Sequence, residues 1–330
     1  MPAGRRGNDE ARRWVITVGE IGEFALIERV TGRLRGGPAV LLGPGDDAAV
    51  VRADDGRVVA STDLLVEGVH FRRDWSSAAD IGAKAAAQNL IDVAAMGAVP
   101  TALLVGLACP PDLPVAWAEE FTAAFDAECA LVGAVLAGGD VSRAPSLTVA
   151  VTALGDLQGR PPVTRSGAEP GDVVALTGRL GWSAAGLAVL SRGFRSPAQV
   201  VAAHRRPAPP YADGPVAARC GARAMCDVSD GLVQDLGHIA RASAVAIGID
   251  TARLQVPDRL QDVGRALNVD PLRWLLTGGE DHALVATFPS ASDVPAGWAV
   301  IGRVREGEGV QVDGAPYPHQ GWDSFGGGRS

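Results

Sequence analysis

The sequence predicts an α/β (α+β) protein with two domains. Strand-like apolar runs alternate with helical segments in both halves of the chain. A length of 330 residues exceeds one average domain. A Pro- and Gly-rich break, QGRPPVTRSGAEPGD, falls at residues 158–172. That break sets the expected division. Residues 1–18 form a flexible polar arm, 19–157 an N-terminal domain, 158–325 a C-terminal α/β domain, and 326–330 a flexible tail.

In the N-terminal half, GEFALIERV (22–30) reads as a short amphipathic helix. Strands follow at 39–42, 48–53 and 57–66. An Ala-rich helix runs from a Ser77 cap to a stop at Gly97. A buried strand at 101–109, a helix near 114–132 and a strand at 146–157 complete this half. Beyond the break come a strand (172–178), a Gly-rich turn and helix (178–193), and an irregular link, RRPAPPYADGP. A strand–turn–helix (222–243) and strands near 245–250, 283–288, 298–304 and 309–312 end the chain.

Composition narrows the function. The net charge of −8 argues against nucleic acid or an acidic membrane surface as partner. The start has no apolar signal segment and no long apolar run follows, so a soluble cytoplasmic protein is expected. Cys109, Cys129, Cys220 and Cys226 have neither zinc nor disulfide-framework spacing. Lys84 is the sole lysine among 30 basic residues, and no GxxxxGK[ST] loop exists. Phosphate, if bound, is held another way.

Acidic turns supply that way. Asp46 and Asp47 are adjacent in GPGDDAAV, although neighbouring carboxylates repel. Further acids follow apolar strands in ASTDLL, LAGGDVS, DVSDG and GGED. One Asp beside Gly is ordinary turn or cap chemistry; five such turns suggest convergence at a sheet edge. Asp92 lies inside the Ala-rich helix, on one face with Lys84 and Gln88. It is either a solvated carboxylate paired to Lys84 or part of the convergent edge. Clustered carboxylates need cations between them, and an all-oxygen donor set suits Mg²⁺ or Mn²⁺ rather than zinc. Several such ions would bridge a polyphosphate.

The ordered tags GDDAAV, STDLLVEGVHF, NLIDVAAMGAVP, GGDVS, TRSGAEPGD, DVSDGLVQDLGHI and GGED resemble the thiamine-monophosphate kinase family. That family belongs to the superfamily named after aminoimidazole ribonucleotide synthetase. The resemblance runs from about Gly22 to Phe325. It implies the two-domain fold of that superfamily, with an N-terminal mixed-sheet domain that dimerises and a C-terminal domain closing the site. It implies ATP-dependent conversion of thiamine phosphate to thiamine diphosphate, with several Mg²⁺ ions.

By motif position, Asp46, Asp47, Ser61, Thr62, Asp63, Asp92, Asp140, Asp227 and Asp230 would form the metal shell. Gly139, Asp140, Arg165 and Ser229 would touch ATP, and His70, Glu280 and Trp322 the thiamine phosphate. No side chain is implied as acid or base. Read alone, Arg165 is equally a surface arginine, His70 a packing histidine and Trp322 a core residue. Trp322 could instead stack on a cationic ring, and Glu280 could face the thiazolium charge. The chain departs from the family at His282 and Ala283, where GGEDYEL is common, and at Pro210, where relatives often carry Arg. The alternatives are another ATP-dependent synthetase of the superfamily or a non-catalytic metal- and nucleotide-binding regulator.

Overall fold

The computed structural model describes residues 16–43, 49–317 and 321–322, except the side chains of residues 23 and 24. Asp46, Asp47, most of the expected arm and the tail lie outside the described residues.

The first described helix, α1 (Val18–Thr31), is kinked at Gly22 (φ 77), so the expected 22–30 segment lies after the kink and one further turn precedes it. Thr17 and Glu20 form a capping box, and Val18 N–H donates to the Leu113 carbonyl at 2.8 Å. These contacts tie residues 17 and 18 to the body. β1 (Val40–Leu42) and β2 (Val50–Val51) form an antiparallel pair. Next come β3 (Val59–Val66), α2 (Ala78–Ala95), β4 (Val99–Cys109) and α3 (Val115–Ala130). β5 (Val135–Arg143) and β6 (Thr148–Asp156) follow. β5 was not expected, because Gly138 and Gly139 weaken its strand signal.

Ser77 starts α2 as expected: its side chain accepts from Asp80 N–H at 3.1 Å, and Asp80 accepts from Ser77 N–H at 3.0 Å. Ser77→Ala is therefore expected to cost about 1 kcal/mol, read as a lower urea midpoint at unchanged slope.

The rest comprises β7 (Val173–Thr177), α4 (Trp182–Ser191), α5 (Ala198–Arg205), α6 (Asp213–Arg219), β8 (Ala224–Val228) and α7 (Leu232–Ser243). Then follow β9 (Ala246–Ile249), α8 (Asp258–Leu267), α9 (Pro271–Thr277), β10 (Ala283–Phe288), β11 (Ala299–Arg305), β12 (Gly309–Val312) and β13 (Ala315–Pro316). Helices α5, α6, α8 and α9 correct the sequence reading, and α6 begins inside the stretch taken as irregular. Two of them carry legible end signals. Asn268 closes α8 in the left-handed conformation. Asp270 caps α9, with Pro271 in its first turn.

One sheet has the order β3-β6-β4-β5, the other β13-β12-β9-β11-β7-β10-β8. Helix α2 lies against both, touching β3, β4 and β6 on one side and β8 on the other. Its alanines explain how it fits. A Cβ added at Gly82 would meet the Phe121 carbonyl oxygen at 2.2 Å, so α3 approaches the helix backbone directly. One apolar cluster joins Leu90, Ile91 and Val151 to Met225, Leu284 and Phe288 of the larger sheet. A second packs α4, α7, α8 and α9 on the far face of that sheet. Among the described residues no helix is long and apolar enough to cross a membrane.

Candidate active site

Helix α2 presents three polar side chains on successive turns, and each reaches a different part of the site. Lys84 Nζ donates to Glu280 Oε1 at 2.7 Å and to the His70 carbonyl at 2.8 Å. Gln88 Nε2 donates to Asp63 Oδ2 at 3.0 Å. Asp92 Oδ2 accepts from Ser61 Oγ at 2.8 Å. Strand alternation turns Ser61 and Asp63 toward α2 and Thr62 away. Thr62 Oγ1 instead donates to the Val151 carbonyl on the open face of the sheet.

The second wall comes from the larger sheet. Asp227 is the penultimate residue of β8, is buried, and meets His282 Nδ1 at 3.0 Å. The turn after it is held by Asp235, which accepts from Asp230 N–H at 3.1 Å and Gly231 N–H at 3.0 Å. Gln234 Nε2 bridges Asp230 Oδ2 (3.1 Å) and the Trp322 carbonyl (2.9 Å). The loop between α9 and β10 runs alongside. Glu280 N–H donates to the Ser229 carbonyl and His282 N–H to that of Val228. Gly279 leaves room for this approach, since a Cβ there would lie 2.3 Å from the Ser229 oxygen.

Electrostatics shows that the two walls face each other. Burial, then the charges of Asp227 and Asp63, pushes the Asp92 carboxyl up to about 7. Burial, then Asp227 and Asp230, does the same to Asp235. Asp230 is also raised, chiefly by burial and against the Gln234 hydrogen bond. Burial alone would lower His282, but the Asp227 hydrogen bond and the charges of Asp227, Asp92 and Glu280 together raise it. Asp63, Asp92, Asp227 and Asp230 therefore form one repelling group that a cation would relieve. Carboxylates and the Ser61 hydroxyl are hard oxygen donors, so the residues present fit Mg²⁺ or Mn²⁺. Asp230, Asp235 and His238 also bring ligand atoms within 4.8 Å of one another.

The solvated-face alternative for Asp92 is overturned, because Lys84 is spent on Glu280 and His70 rather than on Asp92. Trp322 is not a core residue: it is 49% exposed, and its backbone N–H donates to the Asp230 carbonyl at 3.0 Å. His70 is partly buried, and its Nδ1 accepts from Val66 N–H at 3.0 Å. Burial lowers its basicity, which suits a neutral ring. Arg165 is exposed, and its charge is felt at Cys226, next to Asp227 on β8. Ser229 lies in the turn itself, partly buried.

Asp140 is not brought to this group within one chain. Cross-strand register aligns it with Gly106, Ala150 and Leu64, on the open face shared with Thr62. There its Oδ2 accepts from Ser142 Oγ at 2.8 Å. Gly139 is demanded sterically, since a Cβ would sit 2.0 Å from the Val105 carbonyl oxygen. Residues not singled out as ligands in the sequence are Gln88, Asp235 and His204, together with Lys84 as the partner of Glu280. The lone lysine in an Ala-rich helix was the available signal for the last of these.

The family described as AIR synthase related protein matches the chain in two parts, its N-terminal domain over residues 45–157 and its C-terminal domain over 169–314. A thiamine-monophosphate kinase from Mycobacterium tuberculosis is 50% identical over 313 residues, covering 94% of this chain and 93% of its own. The chain belongs to the thiamine-monophosphate kinase family. The solved structure of AaThiL complexed with AMPPCP and TMP superposes with a TM-score of 0.78 at 32% identity, covering 94% of this chain and 100% of that one. Hydrogenase maturation protein HypE in complex with ATP shares the fold alone, with a TM-score of 0.71 at 18% identity, covering 91% and 93%.

The departures from the thiamine-monophosphate kinase family pattern each have a structural role. His282 serves Asp227, Ala283 opens buried β10, and Pro210 Cδ packs 3.3 Å from where a Gly178 Cβ would lie.

Proposed function

We propose that the chain transfers the γ-phosphate of ATP to thiamine phosphate, giving thiamine diphosphate and ADP, with Mg²⁺ held by its convergent carboxylates. The meeting of Asp63, Asp92, Asp227 and Asp230 beside the Lys84–Glu280–His70 end carries this reading. The resemblance to relatives named for that reaction, and to a relative complexed with AMPPCP and TMP, supports it.

The attacking phosphate oxygen is mostly ionised at neutral pH, because a phosphate monoester has its second pKa near 6. No general base is required, so the chain has only to bind, orient and balance charge. When bound, Mg²⁺ offsets the phosphate charges and aligns donor and acceptor in line. Ser61, Asp63, Asp92, Asp227 and Asp230 would hold it, joined in our reading by Asp46 and Asp47, while Thr62 and Asp140, on the open face of β3-β6-β4-β5, would join a shell only where a second copy meets that face. Gln88 and His282 fix two of those carboxylates, and Asp235 fixes the turn that carries a third. Gly139, Asp140, Arg165 and Ser229 would meet ATP. His70, Glu280 and the exposed indole of Trp322 would meet the thiamine moiety.

Incubation with Mg²⁺, ATP and thiamine phosphate is expected to yield thiamine diphosphate without a phosphorylated protein intermediate. ADP without the diphosphate, or a trapped phospho-histidine or phospho-aspartate, would count against the proposal. ATP as co-substrate accords with a cytoplasmic site of action.

We also propose a homodimer, with the domain division at residues 158–172 kept. The open face of β3-β6-β4-β5 supports it: Leu64 is 56% exposed there, beside Thr62, Ala150 and Asp140. A second copy across this face would cover the side on which Asp140 lies. Leu64→Arg is expected to shift sedimentation from dimer to monomer; unchanged sedimentation would remove this face from the interface.

A further inference from the structure

We propose that Lys84 is the positioning residue of the substrate end. Its buried ammonium fixes the Glu280 carboxylate and the His70 carbonyl in one arrangement, and so sets the affinity for thiamine phosphate. This inference rests on the kinase reading above.

Lysine is almost never fully buried without a partner. Lys84 is 3% exposed, and it is the chain's only lysine. Its two partners come from opposite walls. His70 follows β3, whereas Glu280 lies 196 residues further along the chain than Lys84. The Glu280 backbone is held at φ 64, in the left-handed region that a non-glycine residue rarely adopts. His282, two residues on, has φ 55. Such conformations persist where surrounding contacts over-determine them, and the Lys84 ion pair is one of those contacts.

The other Glu280 oxygen lies 3.4 Å from His204 Nδ1, which is also 3.0 Å from Ser183 Oγ. Burial, then the Lys84 charge, pushes His204 down to about 4. At neutral pH His204 is uncharged, so Lys84 is the close cation that matches Glu280. Burial alone would raise the Glu280 carboxyl, but the Lys84 charge and hydrogen bond above all bring it below its ordinary value. Glu280 thus offers the substrate an oriented acceptor whose charge is already balanced, rather than a free counter-charge for the thiazolium. Gln88 and Asp92 project from the next two turns of the same helix. A substrate placed by Lys84 is therefore referenced to the rigid element that also holds the metal-side carboxylates.

Steady-state kinetics on the full chain tests this with Lys84→Met, Glu280→Gln and the double variant. Lys84→Met is expected to raise KM for thiamine phosphate at least tenfold and leave KM for ATP within twofold. The double variant is expected to lose no more than the worse single one, because Lys84 acts through Glu280. A purely structural role would lower the melting temperature and move both KM values together, which would overturn the proposal. So would an unchanged KM for thiamine phosphate, or losses that multiply in the double variant. If Lys84→Met does not fold, Lys84→Gln decides by the same criteria: a fivefold or larger rise in KM for thiamine phosphate with KM for ATP within twofold supports the proposal, and an unchanged value overturns it. If the wild type forms no thiamine diphosphate, the kinase reading fails, and calorimetry with thiamine phosphate tests positioning by itself. Binding to wild type but not to Lys84→Met supports it; equal binding, or none to either, overturns it.

Discussion

Asp63→Asn is expected to cut thiamine diphosphate formation about a hundred- to a thousandfold, the scale on which loss of one electrostatic stabiliser acts. The folded state should survive. An asparagine oxygen can still accept from Gln88 Nε2, which now donates to Asp63 Oδ2 at 3.0 Å. What disappears is a negative charge that helps push Asp92 up to about 7. In metal-free buffer the variant should therefore be at least as stable as wild type, and respond less to added Mg²⁺. Paired rate and melting measurements separate this from misfolding, where both would fall. Normal turnover would remove Asp63 from the metal shell.

Metal-free protein is expected to lose stability as pH rises from 6.5 to 8. The sign follows from linkage. Asp92 and Asp235 have folded values of about 7 against an ordinary 3.8, so the folded state holds protons that the unfolded chain has released. As pH rises through 7 those protons leave, and buried charges face one another. Asp281, raised to about 7 chiefly by burial, acts in the same direction. His70 and His204 are lowered and oppose this trend, but only below their ordinary value of 6.5. The exposed carboxyls Asp55, Asp74 and Asp313 are lowered from 3.8 and matter only in acid. The total loss should be on the order of a few kcal/mol. Saturating Mg²⁺ at pH 8 should restore about 2.7 kcal/mol at a hundred times its Kd. Thermal melts in chelator with and without Mg²⁺ check this, and Asp92→Asn should flatten part of the slope. Stability that rises with pH over this range would contradict the placement of these acids.

Much of the site was legible because acids after strands and beside small residues have a shared physical need. Ser61, Asp63, Asp227 and Asp230 come together as the acid-bearing strand ends suggested, and Asp92 joins them from within α2. Thr62 shows what strand geometry adds, since three consecutive strand residues cannot all face one way. Asp140 shows the same at longer range. Its face depends on register across three neighbouring strands, which no local pattern encodes. The Lys84–Glu280 pair joins residues 196 apart in sequence, so only the packing of α2 between the sheets reveals it. Helices α8 and α9 had readable caps at Asn268 and Asp270. β5 was hidden by Gly138 and Gly139, and at Gly139 the reason for glycine is the close approach of the β4 backbone.

The most direct measurement is an anomalous-scattering map of crystals grown with Mn²⁺, thiamine phosphate and a non-hydrolysable ATP analogue. The expected result is manganese peaks about 2.0–2.3 Å from carboxylate oxygens of Asp63, Asp92 and Asp227, bridged to the analogue's phosphates. Peaks confined to other surfaces, with those three side chains unligated, would contradict the central claim that they meet in order to hold divalent ions.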